Sequence, residues 1–271
     1  MANRATVIVA SAVGATLITV GAAFATVSAM TSSNASESRA LAGGSETGLP
    51  SGVATEEPPA KPDPTPSIDP ATLNKRIPRT FQISTKQPVF FITIDDGVVK
   101  SQAALDVIRQ YQIPVTVFLT EVEVAGQWNY FKKVASYGGT VENHTYSHKS
   151  LTSSSTSLET EICKPQQAYA EHFGAAPTVL RPPYGNGGYS NTPTATRKKL
   201  DRVARSCGIS NIVMWNAVAG PGKIDFIRGS LTRGDIVLFH FTDDLANELR
   251  SVMSMAAKKG LHPAPLMDYL P

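Results

Sequence analysis

Continuous apolar runs alternate with amphipathic stretches along the chain from residue 89 onward. Residues 89–94 are all apolar or β-branched, and they end in Asp95-Asp96-Gly97, which predicts a buried strand that opens into a loop. Residues 101–111 carry apolar side chains at helical spacing behind Ser101, a residue suited to the N-cap. The first strand and helix of a repeating unit are therefore predicted here.

The same alternation continues to the end of the chain. Further strands are predicted over residues 115–119, 139–143, 178–180, 212–215 and 235–239, and further helices over residues 130–137, 158–173, 194–207 and 245–259. Regular strand–helix alternation predicts an α/β fold with a parallel sheet, either open or closed into a barrel.

Chemically interesting side chains follow several of the predicted strands. These side chains are Asp95, Asp96, His144, Arg181, Asn216 and His240. Residues at the carboxyl ends of barrel strands converge on one mouth, whereas a doubly wound sheet gathers fewer of them at its switch point. We therefore favour a barrel with one candidate site at its mouth.

The first 80 residues have a different composition from the rest. Residues 1–30 contain one charged side chain ahead of an apolar run, and Val27-Ser28-Ala29 has the small-residue pattern of a signal-peptide cleavage site. The apolar run, residues 5–30, is also long enough for an uncleaved membrane anchor. Either alternative places the rest of the chain outside the cytoplasm, secreted or membrane-anchored.

A spacer and one folded domain are expected after this segment. Residues 31–80 are rich in Ser, Thr, Gly, Glu and Pro, a composition that predicts a disordered linker. Residues 81–271 are then the folded domain, which is long enough for one sizeable core.

Charge and cysteine content narrow the function classes. The formal net charge is +3, and Lys and Arg are spread without an aromatic-interleaved basic run, so no nucleic-acid partner is expected. Cys163 and Cys207 both lie in the folded domain, where a disulfide and two separate buried thiols are both open alternatives. Neither has CxxC spacing, and no catalytic role is expected for them.

A divalent-metal site is the chemistry that the histidines indicate. His144 and His148 are four residues apart, a spacing that puts two imidazoles on one face of a helical turn. With Asp96 they form a three-ligand set that leaves room for water and a substrate oxygen. Zinc is the default ion for such a set, and cobalt, nickel or manganese are alternatives.

Arg181 and His240 each have a structural and a functional interpretation. Arg181 precedes Pro182-Pro183 and is either a surface arginine in a rigid turn or the ion-pair partner of Asp95. His240 at a strand end is either a core histidine or a general acid for a leaving group.

The motifs together resemble a known family. Thr93-Ile94-Asp95-Asp96-Gly97, His144-Thr145-Tyr146-Ser147-His148, Arg181-Pro182-Pro183-Tyr184 and Leu238-Phe239-His240 occur in the order and spacing of the polysaccharide deacetylases of carbohydrate esterase family four, the NodB-type homology domain. The resemblance implies a deformed (β/α) barrel of about seven parallel strands and metal-dependent removal of N- or O-acetyl groups from polysaccharides.

The resemblance also implies a role for each matching residue. Asp95 matches the catalytic base, Arg181 the arginine that holds it, and His240 the catalytic acid. Asp96, His144 and His148 match the metal ligands. The backbone N–H of Tyr184 matches the oxyanion donor, and the substrate pocket is expected to include Leu238, Pro183 and Trp215.

One motif departs from the family pattern. Members usually carry an Asp-Trp motif whose aspartate tunes the catalytic histidine, but this region reads Met214-Trp215-Asn216. Without a carboxylate partner the imidazolium of His240 is less stabilised. We expect altered activity or a substitute among Asp225, which we place in a following helix, Asp243 and Asp244.

The leading hypothesis is an exported, metal-dependent deacetylase that acts as a monomer on an acetylated polysaccharide: peptidoglycan, chitin oligomers or xylan. Two alternatives remain open from the sequence. One is a non-catalytic wall-binding protein that keeps the metal site, and the other is a deacylase of small amides.

Overall fold

The structure is a computed structural model that describes residues 70–220 and 222–271. In chain order the strands are β1 (Arg79–Thr80), β2 (Val89–Asp96), β3 (Thr116–Leu119), β4 (Thr140–Asn143), β5 (Val179–Leu180), β6 (Asn211–Val213), β7 (Ala217–Gly220), β8 (Lys223–Phe226), β9 (Ile236–His240) and β10 (His262–Pro263). The helices are α1 (Pro70–Leu73), α2 (Gln102–Gln110), α3 (Glu121–Val124), α4 (Trp128–Ser136), α5 (Leu158–Phe173), α6 (Thr194–Ser206) and α7 (Leu245–Lys258), with 3-10 turns at Pro183–Gly185 and Leu266–Tyr269.

The strands of the described residues form one sheet in the order β1-β6-β5-β4-β3-β2-β9-β7-β8, and β10 adds to the start of β2. Neighbours along this order are parallel except for β7 and β8, which form an antiparallel hairpin. The two ends of the order, β1 and β8, do not pair with each other, so the sheet curls without closing. The fold is a deformed (β/α) barrel, as the sequence predicted.

Strand periodicity decides which side chains enter the barrel. In β2, Phe90, Ile92 and Ile94 pack outward against the helices, whereas Phe91 packs with residues of the other strands inside the barrel. Because side chains alternate along a strand, Thr93 and Asp95 share the inner side with Phe91. The inner end of β2 therefore carries a carboxylate at the mouth.

The predicted strands and helices from residue 89 onward are confirmed to within about three residues, and the N-cap of α2 is Ser101, whose side chain accepts the N–H of Ala104. The hairpin β7–β8 was missed, and the helix expected at Asp225 is wrong because this residue lies in β8. One position of β7 and two of β8 are exposed, so these short strands lack the apolar run that marks the longer ones.

The folded region also begins earlier than residue 81. Thr80 and Arg79 pair with β6, and Ile77 is fully buried, so residues 70–80 belong to the fold and not to a disordered linker. The segments expected at residues 1–30 and 31–69 lie outside the described residues. None of the helices that the structure describes combines the length and apolarity needed to cross a membrane.

A disulfide settles the alternatives for the two cysteines. Cys163 of α5 is bonded to Cys207, the residue after α6. Gln166 of α5 donates to the carbonyl of Cys207, so side-chain and backbone contacts join the same two elements.

A buried carboxyl inside the barrel gives a stability prediction. Glu142 of β4 is 5% exposed, and its Oε2 accepts the N–H groups of Thr178 and Val179 at 3.0 and 2.8 Å. Burial raises the pKa of Glu142 to about 7 in spite of these two bonds. The folded pKa of Glu142 is above the unfolded value, so protonation of Glu142 favours the folded state. The contribution of this protonation to the free energy of unfolding is complete below about pH 4.5 and is lost as the pH rises through about 7.

We expect Glu142→Gln to be more stable than the parent protein by about 1–3 kcal/mol at pH 8 and equal to it near pH 4.5. The amide is neutral at both pH values and can still accept both N–H groups through its oxygen. Denaturant unfolding of metal-stripped protein at the two pH values measures the difference. Glu123→Gln, at an exposed position of α3, is the matched control, and an equal gain at both pH values contradicts the prediction.

Candidate active site

The turn after β2 places the first two carboxylates. Asp96 has a φ of 75°, in the left-handed region, and Gly97 follows with a φ of 92°. A Cβ atom at Gly97 would lie 2.5 Å from Cγ1 of Val124, so only glycine fits. The sharp turn directs Asp95 into the barrel and Asp96 toward the mouth.

The two histidines lie in a loop after β4, and the expected helical turn is wrong. Thr145 and His148 have φ values of 75° and 57°. Asn143 Oδ1 accepts the N–H of Thr145, and the hydroxyl of Thr145 accepts the N–H of His148. Polar side chains therefore fix an irregular loop with two left-handed residues, and the four-residue spacing still brings the imidazoles together, with ring centroids 4.9 Å apart.

Unusual backbone geometry is concentrated at this mouth. Five described non-glycine residues have a positive φ, and four of them are Asp96, Thr145, His148 and Tyr184. Such conformations cost about 1–3 kcal/mol each and cluster at functional sites, where the surroundings hold them in place. The conformations therefore support a functional interpretation of the mouth independently of its chemistry.

The three expected metal ligands fit a divalent ion. Asp96 Oδ1 lies 3.4 Å from Nε2 of His144 and 3.3 Å from Nε2 of His148. Two atoms that are each about 2.0–2.1 Å from a tetrahedral zinc are about 3.3 Å apart. Asp96 Oδ1 is also buried without a hydrogen-bond partner among the described residues, the condition of an oxygen that lacks its cation.

The tautomer of His144 and the pKa shifts of His148 and Asp96 agree with roles as metal ligands. His144 Nδ1 lies 2.7 Å from the carbonyl oxygen of Arg181, which can only accept, so Nδ1 carries the proton and Nε2 is free to bind a metal. Burial lowers the pKa of His148, as does the charge of His144. Burial acts to raise the pKa of Asp96, but the nearby imidazole of His144 and its charge outweigh burial and lower the pKa.

The pKa of His144, unlike that of His148, is raised in the metal-free protein. Burial acts to lower its pKa, but the charges of Asp95 and Asp96 outweigh burial, so the pKa is raised. Protons therefore compete for Nε2 of His144, and metal affinity is expected to increase as the pH rises.

Arg181 holds Asp95. Arg181 is completely buried, and its NH1 donates to Asp95 Oδ1 at 2.7 Å and to Thr93 Oγ1 at 2.8 Å. Its Nε and Nη2 atoms donate to the carbonyls of Val213 and Met214, so hydrogen bonds from all three nitrogens hold the guanidinium in place. Burial lowers the pKa of Arg181, and the charge of Asp95 counters this, which keeps the pair ionic.

The remaining expected site residues surround this centre. His240 ends β9 opposite Asp95 in β2, and Leu238 lies opposite Thr93, so both histidine and leucine share the inner side with Asp95. The Tyr184 ring lies 4.8 Å from the His148 ring, next to the buried Pro183. The Trp215 ring lies 5.6 Å from Cζ of Arg181.

Asn216 has a structural role in this protein. Its Nδ2 donates to Asp235 Oδ1 at 2.7 Å, and its Oδ1 accepts the N–H of Ile236, so the side chain joins the strands around it. Its position after a strand therefore does not bring it to the catalytic centre.

None of the three substitute carboxylates expected from the sequence forms an ion pair with His240 in the described part of the chain. Asp225 is paired with Lys223, and Asp244 accepts from Asn247. The structure therefore pairs none of the three with His240: Asp225 and Asp243 are exposed to solvent, and Asp244 is half-buried at the N-cap of α7.

Three supporting residues were not identified from the sequence. Thr93 accepts from Arg181, Asn143 holds the histidine loop, and Glu161 of α5 accepts the N–H and the hydroxyl of Ser147 at 2.9 and 2.6 Å. Strand alternation from Asp95 could have revealed Thr93. No local pattern marks Glu161, whose partner lies on a different element.

Known proteins resemble this chain in sequence and in fold. Residues 82–210 match the family model for polysaccharide deacetylases. A protein of Streptomyces coelicolor is 31% identical over 209 residues, covering 74% of this chain and 80% of that protein. A peptidoglycan-N-acetylglucosamine deacetylase of Bacillus cereus is 28% identical over 154 residues, 56% of this chain and 55% of the enzyme, so this chain spans about half of that enzyme's length.

A solved structure shares the architecture. A family 4 carbohydrate esterase from Bacillus anthracis superposes with a TM-score of 0.57 at 20% identity, covering 73% of this chain and 90% of the esterase. Sequence match, fold and the Asp–His–His cluster agree, and the chain belongs to the polysaccharide deacetylase family, carbohydrate esterase family four, as an enzyme of that class.

Proposed function

We propose that this protein is an exported, metal-dependent deacetylase that hydrolyses the N-acetyl groups of a cell-wall glycan of the peptidoglycan type. One observation carries the proposal: an arginine-paired carboxylate, Asp95, lies beside the three convergent ligand atoms of Asp96, His144 and His148. The name of the Bacillus cereus relative supports the choice of bond and polymer.

Asp96, His144 and His148 would hold the ion. Zinc is favoured by the imidazole and carboxylate donors, and cobalt, nickel or manganese accept the same set. When bound, the ion lowers the pKa of a water molecule to about 7 and polarises the acetyl carbonyl.

Asp95 removes the proton from the attacking water. Its Oδ1 is fixed by Arg181, and its Oδ2 lies 3.7 Å from Nε2 of His144, on the side of the ligand cluster. The arginine stabilises the carboxylate form, which is the form that can act as a base. Orientation and charge thus come from the same buried ion pair.

His240 protonates the leaving nitrogen as the bond to the acetyl carbon breaks, so acetate and a free amine are the products. It lies across from Asp95, with adjacent parallel strands about 5 Å apart. The N–H of Tyr184 donates to the developing oxyanion, and Leu238 contacts the acetyl methyl group. Pro183 and Trp215 form the adjoining pocket wall.

The enzyme acts outside the cytoplasm as a monomer, either secreted or tethered through residues 5–30. The Cys163–Cys207 disulfide supports this placement, since such bonds persist in oxidising compartments. Fractionation of cells into cytoplasm, membrane and medium tests the placement, and a purely cytoplasmic protein contradicts it.

Metal binding is tested separately from turnover. We expect zinc to raise the melting temperature of the metal-stripped protein, because a ligand that binds only the folded state stabilises it. At a zinc concentration about 100 times Kd the gain is about 2.7 kcal/mol. His148→Ala removes one of three ligands and should abolish most of this shift, whereas His262→Ala, at the exposed first position of β10, should keep it.

Acetate release by the full chain, stripped and then reloaded with zinc or cobalt, tests the reaction. The substrates are peptidoglycan, chitin oligomers and acetylated xylan. Metal-dependent release from peptidoglycan supports the proposal. A folded, metal-loaded protein that releases no acetate from any of them contradicts it and favours a wall-binding protein or a small-amide deacylase.

A further inference from the structure

A positively charged pocket of about 410 Å³ lies away from the metal ligands, between the segment that enters β1 and the loop that leads to α6. Its lining includes Arg76, Arg79, Phe81 and Arg197 together with the backbone of Gly188. None of these residues has a role in the proposed reaction.

Two of the three arginines in this pocket form no ion pair with any residue that the structure describes. Arg79 is paired with Asp201 of α6 at 2.6 Å, and both side chains are buried. Arg76 and Arg197 form no ion pair within the described ranges, and the Arg197 side chain donates through NH2 to the carbonyl of Thr192. The pocket therefore offers two cations to a ligand.

The pKa of Arg79 is affected by this excess of positive charge. Burial lowers the pKa of its guanidinium, the charges of Arg197 and Arg76 lower it further, and Asp201 opposes them. Lys198, Lys199 and Arg202 of the same helix are also exposed, but they do not line the pocket. An anion that approaches the pocket is attracted by the guanidinium groups of Arg76 and Arg197.

The wall that carries Arg76 is fixed in place. Arg205 of α6 donates to the carbonyls of Lys75 and Arg76 at 2.7 and 2.9 Å, and the N–H of Ile77 contacts Asp201. A preorganised wall loses little entropy when a ligand binds.

A path of aromatic rings connects the pocket with the active site. Phe81 in the pocket lies 5.9 Å from Tyr189, and Tyr189 lies 6.5 Å from Trp215, centroid to centroid. Trp215 in turn lies beside Arg181, the partner of Asp95. The three rings are half-buried or partly exposed, and such rings provide apolar faces against which a sugar chain can lie.

We propose that Arg76 and Arg197 bind a carboxylate carried by the glycan substrate, whose chain follows Phe81, Tyr189 and Trp215 to the acetyl group at Asp95. The inference rests on the proposed deacetylase function and deepens it: the substrate is an anionic amino-sugar polymer. A guanidinium suits this task because its planar fork matches a carboxylate.

The test compares two substrates of the full-length, metal-loaded enzyme: a neutral chitin oligomer and peptide-free peptidoglycan strands, whose lactyl groups carry carboxylates. The quantity measured is the ratio of kcat/KM for the anionic strand to kcat/KM for the neutral oligomer. We expect the double variant Arg76→Gln/Arg197→Gln to lower this ratio about tenfold or more through KM, since charge-assisted hydrogen bonds are lost. Added salt should lower the parent ratio as well.

Arg202→Gln is the matched control, because it removes the same charge from an exposed position of α6 that does not line the pocket. An unchanged ratio in the double variant overturns the inference and leaves the deacetylase proposal intact. A loss of binding to phosphatidylglycerol vesicles, with the glycan ratio unchanged, also overturns it and assigns the pocket to a lipid surface.

Equilibrium dialysis with deacetylated anionic strands separates the two proposals. Binding that depends on Arg76 and Arg197 supports the anion site even if no acetate is released, an outcome that would contradict only the deacetylase function. Circular dichroism of the double variant establishes that it is folded.

Discussion

Replacing Asp95 with asparagine is expected to lower kcat by about 10²–10⁴-fold, the usual contribution of a positioned base. The amide oxygen of the new side chain can still accept the hydrogen bond from NH1 of Arg181, so the position of the side chain is kept while its basicity is removed. KM and zinc content should change little, because the ligands Asp96, His144 and His148 are untouched. Acetate release and metal analysis on the same preparation measure both effects.

Asp225→Asn is the control for this change. Asp225 is an exposed carboxylate paired with Lys223 at 2.9 Å, and it forms no ion pair with His240. Its replacement should leave kcat within about twofold, as is usual for a surface substitution. If Asp95→Asn retained most of the parent kcat with full metal occupancy, Asp95 would not be the base.

Arg181→Met is expected to destabilise the protein by about 3–5 kcal/mol, the range for breaking a buried ion pair from one side. The change leaves Asp95 as an uncompensated charge and removes the donors to the carbonyls of Val213 and Met214. Denaturant unfolding of metal-stripped protein measures the loss. Arg109→Met is the control, since the Arg109–Asp106 pair is exposed at 3.7 Å and worth about 0–1 kcal/mol.

The double variant Asp95→Asn/Arg181→Met tests the physical cause. If the cost of Arg181→Met comes mainly from a stranded carboxylate, neutralising Asp95 should recover about 1 kcal/mol or more of the loss. Strict additivity of the two single changes would contradict that cause. The loss would then come from packing and from the unsatisfied carbonyls.

Local patterns were sufficient for the framework of the barrel. The apolar run before Asp95-Asp96-Gly97 predicted β2, and alternating strands and helices predicted the parallel sheet that curls into the barrel. These features follow from periodicity, which depends only on neighbours along the chain. The same reasoning placed Asp95, His144, Arg181 and His240 at strand ends, and the structure brings these four together at one mouth.

Other features depend on contacts between distant segments. The histidine loop is irregular and not helical because Asn143 and Thr145 accept its N–H groups, and Glu161 of α5 holds Ser147 from another element. The position of β1 depends on β6 and on the Arg79–Asp201 pair, 122 positions apart in the numbering, so composition alone assigned this segment to a linker.

The sequence by itself determined the fold class, the family and the residue types of the candidate site, because strand periodicity and motif order are written in consecutive residues. Only the tertiary structure decided which partners these residues have. In the structure Asn216 donates a hydrogen bond to Asp235, and His240 has no carboxylate partner among the described residues. Arg76 and Arg197 lie in one pocket beside a path of aromatic rings. The physical reason is that hydrogen bonds and ion pairs act over a few ångströms in space, whatever the separation along the chain.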